Sequence, residues 1–459
     1  MSEMATLPSP DGVPFFGHGF AFSRDPFGSL EAWATHGDVV RLSFPGQTFH
    51  MVTDPELIGE MLMNTGPGGS FSIGPAQREA FEGLEDEALT ANIGERWRTL
   101  RTALQPAFTR ETIQRYGDRM VEEAASWIDE RENGEELDLH REMRLLTLGV
   151  LSGTLLGADV DGAEEVVLGA ADATIDRGDI RRPGNLLPDW VPTPTERRFQ
   201  RSVRKLQEFV EERIEERQAQ AEGDDVASVL LAAHERGELT REEVKDNMVA
   251  ILLGGHDTTA VTLTYALYLL SEHPEVRREL VEEYEEVVGS EQDEEVVGAE
   301  QDEEVVGNGL PGVGAFDDLE RTRNVISETL RLYPPAFTAN RQATESVTLG
   351  EYEFPEGTQF LMPQWVLHRD ERFWKDPERF DPSRWSRETD RPEYAYFPFS
   401  GGPRHCIGMQ FARLELALVL STLVGHLELD VSVAEPLTFT PSLTLRPEVE
   451  MLATVQRRD

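Results

Sequence analysis

The sequence predicts a protein that is mostly α-helical and carries small β-sheets. Three observations lead to this fold class. Apolar residues between about 115 and 235 follow the period of amphipathic helices. Thr240 and Glu243 have the spacing of a capping box, and the helical pattern that follows them continues to His273. Short runs with the composition of strands occur near both ends of the chain.

The first two strand-like runs are Val39–Phe44 and Thr48–Thr53, which flank a Pro-Gly pair and predict a β-hairpin. We expect one domain over residues 1–459, with a β-containing N-terminal region within about 1–70. Three more short strands are expected later in the chain, at Val347–Leu349, Tyr352–Phe354 and Gln359–Met362.

Composition excludes several classes of protein. The chain has 86 acidic against 43 basic residues, a net charge of −43, which argues against a nucleic-acid-binding protein. A single cysteine forbids an intrachain disulfide. Neither an apolar run of about 18 residues nor a secretory signal is present, so we expect a cytoplasmic protein without an integral membrane segment. We also expect a monomer.

The basic residues are unusual, because only Lys205, Lys245 and Lys375 are lysines and all others are arginines. Acidic excess with few lysines predicts adaptation to concentrated salt, in which a Debye length of about 3 Å screens the self-repulsion. An ordinary acidic protein or a genomic bias toward arginine is the alternative.

Residues 290–298 and 299–307 are near-identical acidic nonapeptides. Two copies are too few for a repeat architecture. We expect an acidic surface insertion at about 285–308 without chemistry, since the spacing does not fit a calcium loop.

Cys406 lies in a glycine-rich stretch, 399–408, which reads Phe-Ser-Gly-Gly-Pro-Arg-His-Cys-Ile-Gly. Apolar residues at helical spacing follow, so we expect a buried helix to start at the cysteine. A helix start favours a thiolate, and glycines allow the backbone to lie against a flat group. Arg404 would meet an anionic edge of that group. A haem iron with Cys406 as axial ligand fits these features, and a buried structural thiol is the alternative.

Phe399, Gly402, Arg404, Cys406 and Gly408 form the pattern Phe-x-x-Gly-x-Arg-x-Cys-x-Gly. This pattern resembles the haem-binding loop of the cytochrome P-450 superfamily of haem–thiolate monooxygenases. The resemblance implies that family's fold, in which a long central helix crosses over the haem and the cysteine loop lies beneath it. It also implies haem b as cofactor and Cys406 as the iron ligand.

Other residues resemble haem-binding positions of the family. Trp97 and Arg101 are four residues apart on one helical face, which by itself indicates only a surface contact. The family has a Trp-x-x-x-Arg helix that meets a haem propionate, and a guanidinium group suits a carboxylate. Arg341 resembles another propionate contact.

The middle of the long helix reads Gly-Gly-His-Asp-Thr-Thr over residues 254–259. Such residues lower helix propensity by about 2–3 kcal/mol. We therefore expect a local opening at which Asp257 and Thr258 face a cavity; close helix packing at the glycines is the alternative. The stretch resembles a family motif that implies a catalytic role for both residues in delivering protons during dioxygen reduction.

Glu328 and Arg331 have the spacing of a helical ion pair. The family has a buried Glu–Arg–Arg network that holds the scaffold of the haem loop. The resemblance implies that Arg379, in the stretch Pro377–Phe380, is its third member.

The resemblance implies a monooxygenase that inserts one atom of dioxygen into a small apolar substrate. A fatty acid, a terpenoid and a steroid-like molecule are equally open. A peroxide-dependent or rearranging enzyme, which would not need the acid–alcohol pair, and a haem sensor, which would need an output domain, are the alternatives.

No flavin or iron–sulfur domain is recognisable in the chain, so electrons are expected from a separate ferredoxin and its reductase. Arg98, Arg110 and Arg413 are candidate contact points for this partner. Residues Gly184–Pro192 are either an apolar lid over the substrate or a plain connector.

Overall fold

The computed structural model describes residues 7–156, 162–179, 181–182, 193–219, 225–298, 310–387, 389–433 and 436–458. Its helices are α1 (Gly19–Arg24), α2 (Pro26–Ala34), α3 (Pro55–Met63), α4 (Pro75–Phe81), α5 (Gly94–Leu104), α6 (Arg110–Arg115), α7 (Gly117–Asp129), α8 (Leu139–Leu151), α9 (Ala163–Gly178), α10 (Pro194–Ala219), α11 (Val226–Glu235), α12 (Arg241–Glu272), α13 (Pro274–Gly298), α14 (Glu320–Leu332), α15 (Gln364–Leu367) and α16 (Met409–His426). Its strands are β1 (Val39–Phe44), β2 (Gln47–Val52), β3 (Phe71–Ser72), β4 (Glu136–Asp138), β5 (Ala339–Ala343), β6 (Val347–Leu349), β7 (Tyr352–Phe354), β8 (Gln359–Met362), β9 (Leu427–Val433), β10 (Phe439–Pro441), β11 (Leu445–Pro447) and β12 (Met451–Arg457).

The strands form small sheets beside a large helical core, as the sequence predicts. The largest sheet has the order β1-β2-β8-β5-β3, a second has the order β4-β12-β9, and β6–β7 and β10–β11 are two-stranded. The predicted hairpin is the antiparallel pair β1–β2, and β8 adds to it in parallel. The sheet therefore brings the N-terminal region against the segment that follows α14.

Helix α12 runs through the helical core. The hydroxyl of Thr240 accepts a hydrogen bond from the Glu243 backbone N–H at 3.2 Å, and the Glu243 carboxylate accepts one from the Thr240 N–H at 2.8 Å. This capping box confirms the predicted start of the helix. The 32 residues span about 48 Å, and the helix packs against α8, α10, α14 and α16. It therefore reaches across most of the core.

The predicted Glu–Arg network exists, but its third member is Arg384 and not Arg379. Arg331 binds Glu328 at 2.8 and 2.9 Å, and both side chains are 0% exposed. Arg384 donates to the same carboxylate at 2.9 Å. Arg379 contributes only its backbone carbonyl, which accepts from Arg331 at 3.2 Å. The relevant stretch is thus Pro382–Trp385, whose indole also donates to Glu328.

Two predicted surface segments are covered only in part. The first acidic nonapeptide forms the last turns of α13, whereas residues 299–307 and the predicted lid Gly184–Pro192 lie outside the described residues. The single-domain organisation stays a prediction. Within the described ranges, no helix is both long and apolar enough to cross a bilayer.

Candidate active site

The loop that carries Cys406 is closed by its own backbone. The Cys406 N–H donates to the Phe399 carbonyl at 3.0 Å, and the chain turns between them at Ser400 and Gly402, which have φ angles of 61° and 64°. Helix α16 follows, with Gly408 as its N-cap and Met409 as its first residue. Cys406 therefore precedes the helix by three residues instead of starting it.

The loop glycines are needed for different reasons. A Cβ at Gly402 would lie 2.0 Å from the Leu62 carbonyl oxygen of α3, and one at Gly401 would lie 2.6 Å from the Tyr394 ring. These two glycines thus allow close approach to other parts of the protein, and their place beside a flat group stays a prediction. A Cβ at Gly408 would have only Phe108 within 4 Å, so Gly408 keeps its place in that prediction.

The surroundings of Cys406 do not favour the free thiolate. The side chain keeps exposed surface, yet enough protein surrounds it that burial raises the pKa of the thiol, despite a hydrogen bond from Gly408 and the positive charge of Arg101. Desolvation thus acts against the stabilisation expected from the helix start, and the thiolate at Cys406 stays a prediction. A metal ion bound to the sulfur would deprotonate it outright.

Three arginines near Cys406 have no carboxylate partner among the described residues. Arg101 donates to the His405 carbonyl and imidazole at 3.0 Å. Arg404 donates to the backbone carbonyls of residues 89 and 92. Arg341, only 4% exposed, donates to Thr65, Ser400 and its neighbour's carbonyl.

Arg101 and Arg341 both act on Arg404. Burial, together with the charges of Arg341 and Arg101, lowers the pKa of Arg404 to about 9. Burial alone lowers the pKa of Arg341 to about 10. Groups that disfavour one another's charge across a short distance form one positively charged region beside the cysteine loop. Such a region is built to receive an anionic group.

Trp97 belongs to the same region. Its side chain is buried in the core, and the Arg404 guanidinium carbon lies 5.0 Å from its ring centre. Trp97 and Arg101 are both on α5, as the sequence predicts. The indole therefore packs against Arg404, whereas Arg101 reaches the backbone of the cysteine loop.

Helix α12 remains continuous through residues 254–259, so the predicted local opening is absent. The hydroxyls of Thr258 and Thr259 instead donate to the carbonyls of Gly254 and Gly255, both at 2.7 Å. A Cβ at Gly255 would come within 3.2 Å of Leu151 of α8, which supports the packing alternative there. A Cβ at Gly254 would meet nothing within 4 Å, and Thr258 is partly exposed on the same face. This open face is the one on which Thr258 can meet other molecules.

Asp257 lies in a buried ion cluster instead of facing an open cavity. Its carboxylate accepts from Arg446 Nε at 3.1 Å and also from Arg446 Nη2 and the Thr444 hydroxyl. Arg144 Nε is 3.8 Å away. Burial raises the pKa of Asp257, but the charge and hydrogen bonds of Arg446 outweigh it and hold the pKa well below its usual range. Asp257 is therefore an anion at neutral pH.

No pattern in the sequence pointed to Arg144, Arg446 and Asp172, which complete this cluster. Each lies on a different element, α8, β11 and α9, so no local spacing joins them to Asp257. Arg384 could have been found from the sequence, because it lies only five residues after Arg379, which was chosen in its place.

A cofactor with anionic groups and a metal that accepts one thiolate fits these residues. Among the described residues no three His, Cys, Asp or Glu side chains lie close enough to hold a metal, so Cys406 would supply a single ligand. The unpaired guanidinium groups match carboxylates at the edge of the same cofactor. These features define the class as a haem–thiolate protein.

Comparison with known proteins identifies the family. The cytochrome P450 family model matches residues 7–453. The chain is 32% identical over 432 residues to the cyclooctat-9-en-7-ol 5-monooxygenase of Streptomyces melanosporofaciens, covering 91% of this chain and 88% of that one. It is 29% identical to the pentalenene oxygenase of Streptomyces avermitilis, over 91% and 90% of the two chains. It is also 29% identical to a cytokinin hydroxylase of Arabidopsis thaliana, over 83% and 73%.

The chain belongs to the cytochrome P450 family. It is a haem–thiolate monooxygenase, an oxidoreductase whose cofactor is haem b. Its fold, mostly helical with small sheets, is the fold the sequence predicts.

Proposed function

We propose that Cys406 ligates the haem iron and that Arg101, Arg341 and Arg404 bind the haem propionates. The main support for this proposal is that these three guanidinium groups lie beside the single thiol without a carboxylate partner in the described protein. Paired N–H groups suit propionate oxygens. The Trp97 ring then packs against the Arg404 guanidinium and holds it in position.

The other residues of the loop complete the site in this proposal. The Phe399 carbonyl accepts from the Cys406 N–H and fixes the backbone from which the sulfur projects. Gly402 allows the turn at positive φ, and Gly408 leaves space beside the cysteine. Bound haem supplies the redox iron at which dioxygen is reduced by two electrons and two protons, with one oxygen atom passing to the substrate and one to water.

Thr258 and Asp257 have different tasks in the proton supply. The Thr258 hydroxyl donates to the Gly254 carbonyl, so its oxygen lone pairs remain free to accept a hydrogen bond and to hold a water on the open face of α12. Asp257 is charged and held by Arg446, so it draws protons toward this part of the helix without storing one. Thr258 is thus the residue nearest to the chemistry, and Asp257 supplies the field behind it.

The substrate we propose is an apolar cyclic molecule of the terpenoid class. Sequence reasoning left fatty acids, terpenoids and steroid-like molecules open. The names of two relatives, for cyclooctat-9-en-7-ol and pentalenene, favour a cyclic hydrocarbon skeleton. Hydroxylation or epoxidation of such a skeleton is the proposed reaction, and the shift of the haem spin state on adding cyclic terpenes, compared with linear fatty acids, tests it.

The electron donor we propose is a separate ferredoxin with its reductase. Arg98 and Arg110 are exposed, although Glu95 and Asp317 lie against them. Arg413 is exposed over the Phe399 ring at 5.4 Å, on the cysteine side of the haem loop. Charge reversal at Arg413 should slow electron transfer at low salt, and an unchanged rate would remove this residue from the contact.

We also propose that the protein is adapted to concentrated salt. The net charge of −43 causes self-repulsion within the protein. Molar salt screens this repulsion, because the Debye length falls to about 3 Å. Stability measured by thermal unfolding should rise between low and molar KCl, and a fall would refute the proposal. A monomer in the cytoplasm is the assembly and location we propose.

Replacing Thr258 by Ala tests the oxygenase mechanism directly. We expect Thr258→Ala to consume electrons at a similar rate but to release peroxide in place of about 90% or more of the product, as loss of a proton-positioning group allows. Thr262→Ala is the matched control, since its hydroxyl makes the same bond to the carbonyl four residues earlier, at 2.8 Å, but is buried.

Unchanged coupling in Thr258→Ala, with product formed from added peroxide, would favour the peroxide-dependent alternative. Absence of any product from the wild-type protein with a competent electron donor would favour the sensor.

A further inference from the structure

Two arginines and two aspartates form a cluster at the back of α12 that is buried except at Asp172. Arg446 Nη1 and Arg144 Nη2 each donate to Asp172 Oδ1 at 2.7 Å. Arg446 also binds Asp257, and Arg144 Nε lies 3.8 Å from the same carboxylate. Each arginine therefore faces two carboxylates. The cluster joins α8, α9, α12 and β11 and has no net charge.

The two aspartates differ in their access to solvent. Asp257 is 6% exposed, whereas Asp172 is 38% exposed and lines a polar surface pocket of about 520 Å³. Arg446 and His140 line the same pocket, which is bounded by α9, α10 and the β10–β11 hairpin. The cluster thus extends from the surface to the residue that precedes Thr258.

No other charge within the described residues neutralises this cluster. His140 of α8 and His256 of α12 interact with it electrostatically, but burial lowers the pKa of each to about 3, and the charges of Arg144 and Arg446 act in the same direction. Both imidazoles are therefore neutral at physiological pH. The charges nearest to Asp257 are therefore the two guanidinium groups and the Asp172 carboxylate that they share.

We propose that Asp172 is a positioning residue for the oxygenase reaction, because it shares Arg144 and Arg446 with Asp257 and so limits how tightly they hold that buried carboxylate. This inference rests on the proposed role of Asp257 in proton supply. With Asp172 charged, each guanidinium divides its hydrogen bonds between two partners. Without that charge, both guanidinium groups act on Asp257 alone, and a proton passing this point meets a more positive potential.

The test begins with Asp172→Asn in the haem-loaded protein with its electron donor. We expect the ratio of product to electrons consumed to fall about threefold and the solvent deuterium isotope effect on product formation to rise. Asp176→Asn is the control, since Asp176 lies one turn along α9, lines the same pocket and pairs with Arg182 and Arg198. We expect it to match the wild type in both measurements.

A second variant separates charge balance from structural damage. Arg144→Gln removes one positive charge and should shift the pH dependence of the coupling ratio upward, whereas Asp172→Asn should shift it downward. The double variant Asp172→Asn/Arg144→Gln leaves one arginine, Arg446, with one aspartate, Asp257. The cluster is then neutral again and should recover the wild-type pH dependence. Unfolding in denaturant gives a readout without turnover, in which the double variant should be more stable than the sum of the two single changes predicts.

Some results would overturn the inference without touching the proposed function. One such result is a coupling ratio and an isotope effect in Asp172→Asn equal to those in Asp176→Asn. Another is a shift of the pH dependence in the same direction in Asp172→Asn and Arg144→Gln. If Asp172→Asn fails to fold, the comparison of Arg144→Gln with the double variant isolates the effect of Asp172, and equal pH dependences of these two would overturn the inference. Failure of the proposed function is distinguishable, because then the wild type forms no product or Thr258→Ala stays coupled.

Discussion

Buried arginines in two regions of the molecule differ in what neutralises them. In the scaffold beside α14, Arg331 and Arg384 share the carboxylate of Glu328, and all three side chains are buried. In the region beside Cys406, Arg341 is just as buried but bonds only hydroxyls and a backbone carbonyl. Since an unpaired buried charge is costly, the first region is complete as protein and the second is complete only with an anionic ligand.

This contrast extends beyond the two regions. Other arginines with buried side chains all have a carboxylate within 4 Å in the described protein: Arg144, Arg217, Arg369 and Arg446. In a chain with twice as many acidic as basic residues, a buried arginine without a carboxylate is an exception. The exception identifies the cofactor side of the molecule.

The largest expected effect is on the paired scaffold. Glu328→Gln leaves two buried guanidinium groups without their shared carboxylate, so we expect a loss of about 3–5 kcal/mol in the free energy of unfolding. Denaturant unfolding of the haem-loaded protein measures it. Glu320→Gln is the control on the same helix, because Glu320 is exposed and bonds only the Ser386 hydroxyl. A loss below about 1 kcal/mol in Glu328→Gln would contradict the contrast.

The unpaired region should respond in the opposite way. We expect Arg341→Gln to leave the stability of the haem-free protein unchanged or slightly raised, because the substitution removes a buried charge that has no carboxylate. Haem affinity should fall about 10- to 100-fold, the value of charge-assisted hydrogen bonds. Titration of the haem-free protein with haem measures this change.

Arg384→Gln is the matched control, since it makes the same replacement at a paired arginine. It should lower stability in the haem-free protein and leave haem affinity nearly unchanged. Equal behaviour of the two variants would mean that pairing does not distinguish the regions.

A smaller effect is expected from a buried acid that lacks an arginine. Burial, with the charges of Asp246 and Asp86 and against a hydrogen bond from the Thr90 hydroxyl, raises the pKa of Glu85 to about 8. Because the folded protein holds this proton and the unfolded chain releases it above its usual pKa, stability should decrease as pH rises toward 8. The slope is about 1.4 kcal/mol per pH unit.

Glu85→Gln should make this slope shallower by about 1.4 kcal/mol per pH unit between pH 7 and 8, where Asp246, with a pKa of about 6, has mostly titrated and Glu415, whose pKa burial also raises, still contributes. Denaturant unfolding across that range compares the variant with the wild type. Parallel pH profiles would show that Glu85 is already charged in the folded protein.

Local chemistry was predictable from the sequence and tertiary pairing was not. The capping box at Thr240, the hairpin β1–β2 and the spacing of Arg404 and Cys406 depend on neighbours in sequence, and the structure has the first two where they were expected. The partner of Glu328 was misplaced at Arg379, because Arg384 and Arg379 both reach the same network, one by its side chain and one by its carbonyl.

The direction of Asp257 was beyond sequence reasoning for a similar reason. Its side chain is drawn to Arg446, which is 189 residues away in the chain. Gly402 makes room for the Leu62 carbonyl of α3, which no pattern in the cysteine loop indicates. In each case the deciding atom belongs to an element that no pattern near the residue reveals.

The neighbouring glycines of α12 have a consequence for redesign of the protein. A side chain added at residue 255 would press on the Leu151 methyl groups of α8, which would have to shift, whereas one added at residue 254 would enter open space beside Thr258. Substitutions at position 254 can therefore change the space beside Thr258 by one methyl group at a time, and with it the size of the molecule that fits there. Position 255 offers no such freedom, although only one peptide bond separates the two.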